Sequence, residues 1–545
     1  MPFYLRIAVG ISFFSGLIFA EEIQPILQPL SHVLGHVLVK ISAKKNQLSL
    51  DLAFKNVGAK KLKEFSLVDG LKLYQFDEKL DVYKVIQVFM ASGAVDYAEP
   101  DYMVSLGSSK ALPINDPEYG KQWSLENKGQ NGGLVDADIN AESAWAIEAG
   151  KKGVVVGIID TGVDYAHQDL ADNMWKNGLE IAGNGKDDDN NGYIDDVYGI
   201  NAIKKDGNPM DDHLHGTHVA GIIGAKANNQ IGISGVAQVV DMAACKFLSS
   251  AGLGSVSDAI TCMDYFAALK SRAQNPVNIV ATNNSWGGGA KSKAMFDAIK
   301  AHEQLGILFV AAAGNQASNN DVVESYPSNY KVSNLIAVAA TDSSDRLASF
   351  SNYGKKTVHV AAPGTKILST FPNNKYGELS GTSMAAPHVS GLVALVASHF
   401  PELTGPAIKN LILAGGQKTN AADSTTIAGR RLRGADVHGV GSLSCLDQVI
   451  TIREQPSISS LTINVGDSLF LSARSFTCAQ QSSFLRVWQK DADIIDLNDE
   501  GKDGDIEAHD GVFSLDWTPQ NSGVYIMQFS DTDTVVVTVI EKQEQ

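Results

Sequence analysis

Four cysteines in 545 residues are too few to build a disulfide-framed scaffold. Basic residues are also short, with 44 Lys and Arg against 61 Asp and Glu and a net charge of −17. Duplex binding rests on neutralising phosphates, so this deficit argues against a nucleic-acid partner and for an acidic chain able to bind cations. Beyond the first twenty residues no apolar run approaches the ~20 residues a membrane span needs. No integral membrane segment is therefore expected once that leader is removed. Charged residues make up 19% and hydrophobic residues 44%, a balance typical of folded domains. The length allows roughly three or four domains with at least one large core.

The chain starts with an export-like segment. Arg6 precedes an almost wholly apolar run, Ile7 to Phe19, and then the small Ala20. Residues 1–20 are expected to be a cleavable signal peptide, which would make the protein secreted, extracellular or associated with the cell envelope. Over 21–110, strand-like alternation at His36–Ile41, Leu71–Tyr74 and Val95–Tyr102 surrounds a helical stretch at 84–91, a compact α+β pattern. Gly107 to Pro113 lacks periodicity and reads as an exposed, cleavable linker.

From 115 to 452, apolar runs at 153–159, 242–247, 277–282, 307–313 and 336–340 alternate with helical patterns at 255–268, 291–303 and 406–414. Continuous apolar strands separated by helices predict an α/β fold with a mostly parallel sheet covered on both faces. Ligand sites in such folds collect at the carboxyl ends of the strands. After Pro456, short alternating runs punctuated by Gly and Asp predict an all-β sandwich over 456–545, immunoglobulin-like in architecture. Cys245 with Cys262 and Cys445 with Cys478 is one of three possible pairings, and a buried free thiol is the alternative for Cys245.

Four groups of polar residues follow the predicted strands. Asp160 ends the first, where a carboxylate either orients a base or caps the turn. His215-Gly-Thr-His218 opens an apolar helix, where a histidine serves as a base or as a polar cap. The two histidines lack the i,i+4 spacing and the carboxylate of a zinc helix, which disfavours metal. Asn315 follows Ala311-Ala312-Ala313-Gly314 and projects a donor towards the same crevice. Asn283 to Gly289 offers bare backbone for pairing with an extended peptide. The fourth group is Gly381-Thr-Ser-Met-Ala-Ala-Pro-His388. It places Ser383 where a loop becomes a buried helix, with Pro387 expected in the first turn. The free N–H groups and the helix dipole favour negative charge beside Ser383. Taken alone, such a serine is more often an N-cap than a nucleophile.

In this order, over most of 115–452, the four motifs resemble those of the subtilisin-like serine peptidases, a three-layer fold. The resemblance implies that Asp160, His215 and Ser383 form a catalytic triad and that Asn315 is the side-chain oxyanion donor. It implies that Ser285, Trp286 and Gly287, with Ala313 and Gly314, line the primary pocket and pair with substrate backbone, and that Ser325 forms its far wall. The uncharged Gln316 points to a medium-to-large apolar or uncharged residue before the scissile bond. Val39-Lys40 and Tyr97–Tyr102 resemble the family's propeptide, so 21–110 is expected to assist folding, inhibit the enzyme and be removed by self-cleavage between about Tyr102 and Asn115. The partners implied are peptide or protein substrates and this propeptide; no catalytic cofactor is implied. Two other readings are an inactive relative serving as a surface-binding protein and a peptide ligase or macrocyclase on the same triad.

Asp187, Asp189, Asn191 and Asp196, with the Tyr193 carbonyl, could converge on a hard cation such as Ca2+. The spacing approximates the start of an EF-hand loop but lacks its Glu at position twelve, and a solvated acidic loop is the alternative. The resemblance alone implies a second Ca2+ site from Asp116, Asp169 and Asn229 with the carbonyls of Ala227, Ile231 and Ile233. Asp206, Asp211 and Asp212, just before His215, form a weaker candidate or merely tune the local field.

Overall fold

The computed structural model describes residues 32–42, 47–65, 67–77, 79–80, 82–102, 114–436, 441–444, 449–477, 484–489, 495–502, 512–530 and 533–542. The signal peptide, the linker and the residues Cys445 and Cys478 lie outside them. The chain divides into two compact units, 1–108 and 109–545.

The first unit runs β1 (His32–Ile41), α1 (Gln47–Asn56), β2 (Lys60–Glu64), β3 (Leu71–Gln75), α2 (Val82–Ala91) and β4 (Val95–Tyr102). Its strands form an antiparallel sheet in the order β2-β3-β1-β4. Val82, Val85 and Phe89 recur at helical spacing on α2 and pack on Val37, Val39 and Tyr74 of the sheet.

The second unit begins with α3 (Ala141–Trp145), β5 (Gly150–Asp160), β6 (Gly199–Asn201), α4 (His215–Gly224), β7 (Val239–Lys246), α5 (Val256–Ser271), β8 (Ile279–Asn284), α6 (Lys293–Gln304), β9 (Leu308–Ala312), β10 (Leu335–Thr341) and β11 (Val360–Pro363). A hairpin, β12 (Ile367–Phe371) with β13 (Lys375–Leu379), precedes α7 (Thr382–His399) and α8 (Gly405–Ala414), and β14 (Gln417–Lys418) and β15 (Arg430–Arg431) follow. The main sheet has the order β14-β15-β11-β10-β9-β8-β5-β7-β6 and is parallel except where β14 meets β15.

The pleat of β5 shows how the layers form. Val154, Val156 and Ile158 face one core with residues of α4, α7 and α8. Val155 and Ile159 face another with residues of α5 and α6. Both faces are thus covered, which is why these strands read as unbroken apolar runs. Cys245 of β7 is disulfide-bonded to Cys262 of α5, so the free-thiol alternative fails. All strands that carry expected site residues end on one rim, with Asp160 closing β5, Asn284 closing β8 and Ala312 closing β9.

The remaining strands are β16 (Val449–Gln455), β17 (Ser460–Asn464), β18 (Leu469–Thr477), β19 (Phe484–Gln489), β20 (Ile495–Asn498), β21 (Val512–Trp517), β22 (Gly523–Ser530) and β23 (Asp533–Ile540). They pair antiparallel apart from β17 with β23, which is parallel. The region is not set apart from the α/β body. Helix α8 packs on β18, and Phe476 is buried in the same core as α7. Strand β16 belongs to the sandwich yet begins before 452, so the expected junction falls inside a strand.

Candidate active site

Helix α7 has Gly381 as its N-cap, so Ser383 is the second helical residue and the cap role belongs to its neighbour. Pro387 is sixth in the helix, beyond the expected first turn. A residue there would normally donate to the carbonyl four positions back, and that carbonyl is Ser383's. The Ser285 hydroxyl donates to it instead, at 2.7 Å. Asn283 Nδ2 donates to Ser285 Oγ at 2.9 Å, and Ser390 Oγ donates to Asn283 Oδ1 at 2.9 Å. A buried polar chain therefore joins the third turn of α7, strand β8 and the Ser383 backbone.

Asp160 is fully buried, and its Oδ1 accepts from the Thr161 N–H at 2.7 Å and lies 2.8 Å from His215 Nδ1. The first residue of α4 thus meets the last residue of β5. Burial is the largest single influence on His215 and pulls its pKa down. The charge and hydrogen bond of Asp160, with the charge of Asp211, outweigh it and hold the pKa above the usual 6.5. His215 Nε2 has no hydrogen-bond partner among the described residues. The Ser383 hydroxyl donates to the Ser285 carbonyl at 3.0 Å. Nucleophile–base bonds are commonly loose before substrate binds.

Asn315 Oδ1 accepts from the Thr382 N–H at 2.8 Å and from the Thr382 hydroxyl at 3.0 Å, which leaves Nδ2 as the outward group. A Cβ added to Gly381 would lie 3.5 Å from Asn315 Nδ2 and 3.5 Å from Ser383 N. Asn315 Nδ2 and the Ser383 N–H therefore lie at ordinary contact distance from one point beside Gly381.

His218 is buried, and its Nε2 lies 3.0 Å and 3.1 Å from the carbonyls of Ile367 and Gly377. Burial lowers its pKa to about 3, and the buried His388 falls to about 4 for the same reason. Neither meets the Asp160–His215 pair through a hydrogen bond, and both act as structural residues.

A cavity of about 490 Å3 adjoins His215. Ser285, Trp286 and Gly287 line it, whereas Ala313, Gly314 and Ser325 do not. Ala313 and Gly314 continue from β9, and Ser325 adjoins Tyr326, whose carbonyl accepts from Gly288 N–H at 3.2 Å. His213, Phe247, Leu253 and Val256 also line the cavity, and the sequence reading missed them. Phe247 packs edge-on against Trp286 with ring centroids 4.9 Å apart, so the floor is aromatic.

The two cation candidates differ in how their donors stand. Asp116 accepts backbone N–H bonds from Asn228, Asn229 and Gln230, and Asn229 Nδ2 donates to Asp169 Oδ1 at 2.8 Å. Asn229 Oδ1 accepts from the Ile231 N–H at 2.8 Å. Among the described residues nothing donates to the carbonyls of Ala227, Ile231 and Ile233, and burial raises Asp169 to about 6. This donor set of hard oxygens fits Ca2+. In the acidic loop, Asp187 and Asp189 come within 4.8 Å of Glu180, which the sequence reading missed. Glu180 Oε2 is buried without a hydrogen-bond partner, and that orphaned oxygen also fits a cation. Asn191 donates its backbone N–H to Asp187 and Asp189, and Tyr193 donates its own to Asn191 Oδ1. Asp196 turns inward to the Tyr265 hydroxyl at 2.6 Å and to Asn177, so it braces the loop from inside. The third acidic group does not form a site, because Asp211 is occupied by protein donors and Asp212 pairs with Lys246 at 2.7 Å.

This arrangement of fold and rim residues is that of a serine hydrolase of the α/β type. The chain belongs to the subtilase family, whose sequence model matches residues 151–429. It is 33% identical over 407 residues to the thermophilic serine proteinase of Bacillus sp. strain AK1, covering 72% of this chain and 88% of that one. It is 36% identical over 334 residues to subtilisin-like protease 1 of Plasmodium vivax, covering 58% of this chain and 50% of that one. It is 34% identical over 380 residues to an extracellular protease of Xanthomonas campestris pv. campestris, covering 66% and 62%. The match thus spans about half the length of the Plasmodium vivax relative.

Proposed function

We propose that the protein is a secreted serine endopeptidase that hydrolyses peptide bonds in proteins through an acyl-enzyme on Ser383. The observation that carries this reading is the 2.8 Å contact of His215 Nδ1 with the buried Asp160, on the rim where Asn315 binds the start of α7 beside Ser383; Asn315 Nδ2 and the Ser383 N–H are the two oxyanion donors. His215 takes the Ser383 proton as Oγ bonds to the substrate carbonyl carbon, and Asp160 fixes the ring and stabilises its charged form. The two N–H donors hold the oxyanion. His215 then returns the proton to the departing amine as the C–N bond breaks, and water releases the acid by the same path. The apolar, aromatic-floored cavity favours an apolar side chain upstream of the scissile bond. Residues 21–110 act as the propeptide, and 1–20 direct export.

Hydrolysis of a peptide library by the secreted protein tests this directly. Because His215 must be neutral to act and its pKa is raised, kcat/KM should climb with pH through an apparent pKa above 6.5 and then level off. Absence of hydrolysis, or a rate indifferent to pH from 5 to 8, would sink the reading.

Ca2+ would be held by Asp116, Asp169, Asn229 and the three nearby carbonyls, and by Asp187, Asp189 and Glu180 in the acidic loop. Bound there it supplies charge neutralisation that ties surface loops together, and it takes no part in the chemistry. Chelation should lower stability by about 4 kcal/mol relative to Ca2+ at a thousand times its Kd. Thermal unfolding with and without EDTA measures this, and an unchanged midpoint would refute structural Ca2+.

A further inference from the structure

Leu214, the residue before His215, is the N-cap of α4 with φ 144° and ψ −22°, a conformation that a branched side chain rarely adopts. Its side chain has no acceptor for the first free N–H groups of the helix, which require partners from elsewhere. One buried carboxylate takes two of them, at Leu214 and Thr217, and also the His213 N–H just ahead of the cap, while His215 N–H donates to His213 Nδ1 at 3.4 Å. Asp211 Oδ1 accepts from the N–H groups of His213 at 2.9 Å and Leu214 at 3.2 Å, and from the Thr161 hydroxyl at 2.9 Å. Its Oδ2 accepts from Thr217 N–H at 3.0 Å and from the Thr217 hydroxyl at 2.6 Å. Thr161 Oγ1 in turn accepts from Gly216 N–H at 2.9 Å. The backbone on either side of His215 is therefore clamped, and Thr161 is covalently next to Asp160.

We propose that Asp211 is a positioning residue for the reaction, holding the strained Leu214–Thr217 segment so that His215 meets Asp160 on one side and Ser383 on the other. The inference rests on the endopeptidase reading of the same site. Without the clamp, Leu214 relaxes towards ordinary backbone angles and the imidazole leaves its bonded position. Misplacement of a catalytic group by about 1 Å costs on the order of 100-fold in rate. The charge of Asp211 also acts on His215 through space. The charged or titratable groups around the pair are Asp160 on β5, His213 and Asp212 in the loop, His218 on α4, and Lys246 on β7. Lys246 Nζ donates to the Thr161 carbonyl and to Asp212.

Asp211→Asn is the main test, because the amide keeps the shape and one acceptor oxygen but cannot accept from Thr217 N–H with its nitrogen. Asp206→Asn removes one charge from the same loop and no bond to α4. Hydrolysis of one peptide is followed from pH 5 to 9 in wild type and both variants, with thermal unfolding as a check on folding. For Asp211→Asn, kcat should fall about 10- to 100-fold with KM little changed. Its acid limb should also move to lower pH, since a negative charge that favoured the imidazolium is gone. Asp206→Asn should behave like wild type. Should Asp211→Asn fail to fold, Thr161→Val tests the same clamp through the Gly216 bond and should likewise lower kcat. A folded Asp211→Asn with wild-type kcat and an unmoved acid limb overturns the inference, as does an equal effect of Asp206→Asn. A wild type that hydrolyses nothing would instead overturn the endopeptidase reading.

Discussion

Ser383→Ala should lower kcat by about a million-fold, the size of loss that removing the nucleophile causes in subtilisin itself. The fold should survive. Ser383 sits at the second position of α7, its side chain makes one hydrogen bond, to the Ser285 carbonyl, and its backbone carbonyl keeps the Ser285 hydroxyl. The same variant should accumulate as uncut precursor, because cleavage between about Tyr102 and Asn115 is proposed to be the enzyme's own act. Amino-terminal sequencing of secreted wild type against the variant reads this. A variant that still matures would show that another protease makes the cut, and one that retains catalysis would remove Ser383 from the mechanism.

Loss of the Asn315 donor should be smaller and of a different kind. Asn315→Ala should lower kcat by about 100- to 1,000-fold, or ~2.7–4 kcal/mol of barrier, the range set by the corresponding asparagine of subtilisin. KM should change little, because the oxyanion exists only near the transition state. Alanine also strips the acceptor from Thr382 N–H and its hydroxyl, which loosens the start of α7. Asn315→Asp separates the two effects. It keeps Oδ1 for Thr382 but replaces the donor with an acceptor, so it should lose as much kcat or more while unfolding near the wild-type temperature. If Asn315→Asp kept wild-type kcat, the oxyanion role would be wrong.

Much of the α/β body was legible because strands buried on both faces print as unbroken apolar runs. Those at 242–247 and 307–313 fall on β7 and β9 within a few residues. Short or edge elements such as β6, β14 and β15 carry no such run, and β2, with every residue exposed, is a lysine-rich edge strand that periodicity misses. The sandwich was read from its alternation. Its attachment through Phe476 and α8 was not, since that depends on which face of β18 meets the helix.

At the site, Asp160, His215, Asn315 and Ser383 stood out through their motifs, each placed after a strand or at a helix start. What supports them is long-range and left little trace. Asp211 looked like part of a cation cluster because its partners Thr161 and Thr217 are not recognisable as such from spacing. The role of Ser285 in replacing the helix bond lost at Pro387 becomes apparent only with the helix start fixed at Thr382. Glu180 stands seven residues ahead of Asp187, outside the dense acidic run, and only the folding of the loop brings it in.

The most direct test of the central claim is covalent labelling with a serine-directed fluorophosphonate, followed by peptide mass mapping of the mature protein. One phosphonyl group per chain is expected, located on Ser383, with labelling slowed greatly in His215→Ala but left near the wild-type rate in His218→Ala. Labelling at another residue, no labelling of folded protein, or equal dependence on His215 and His218 would contradict it.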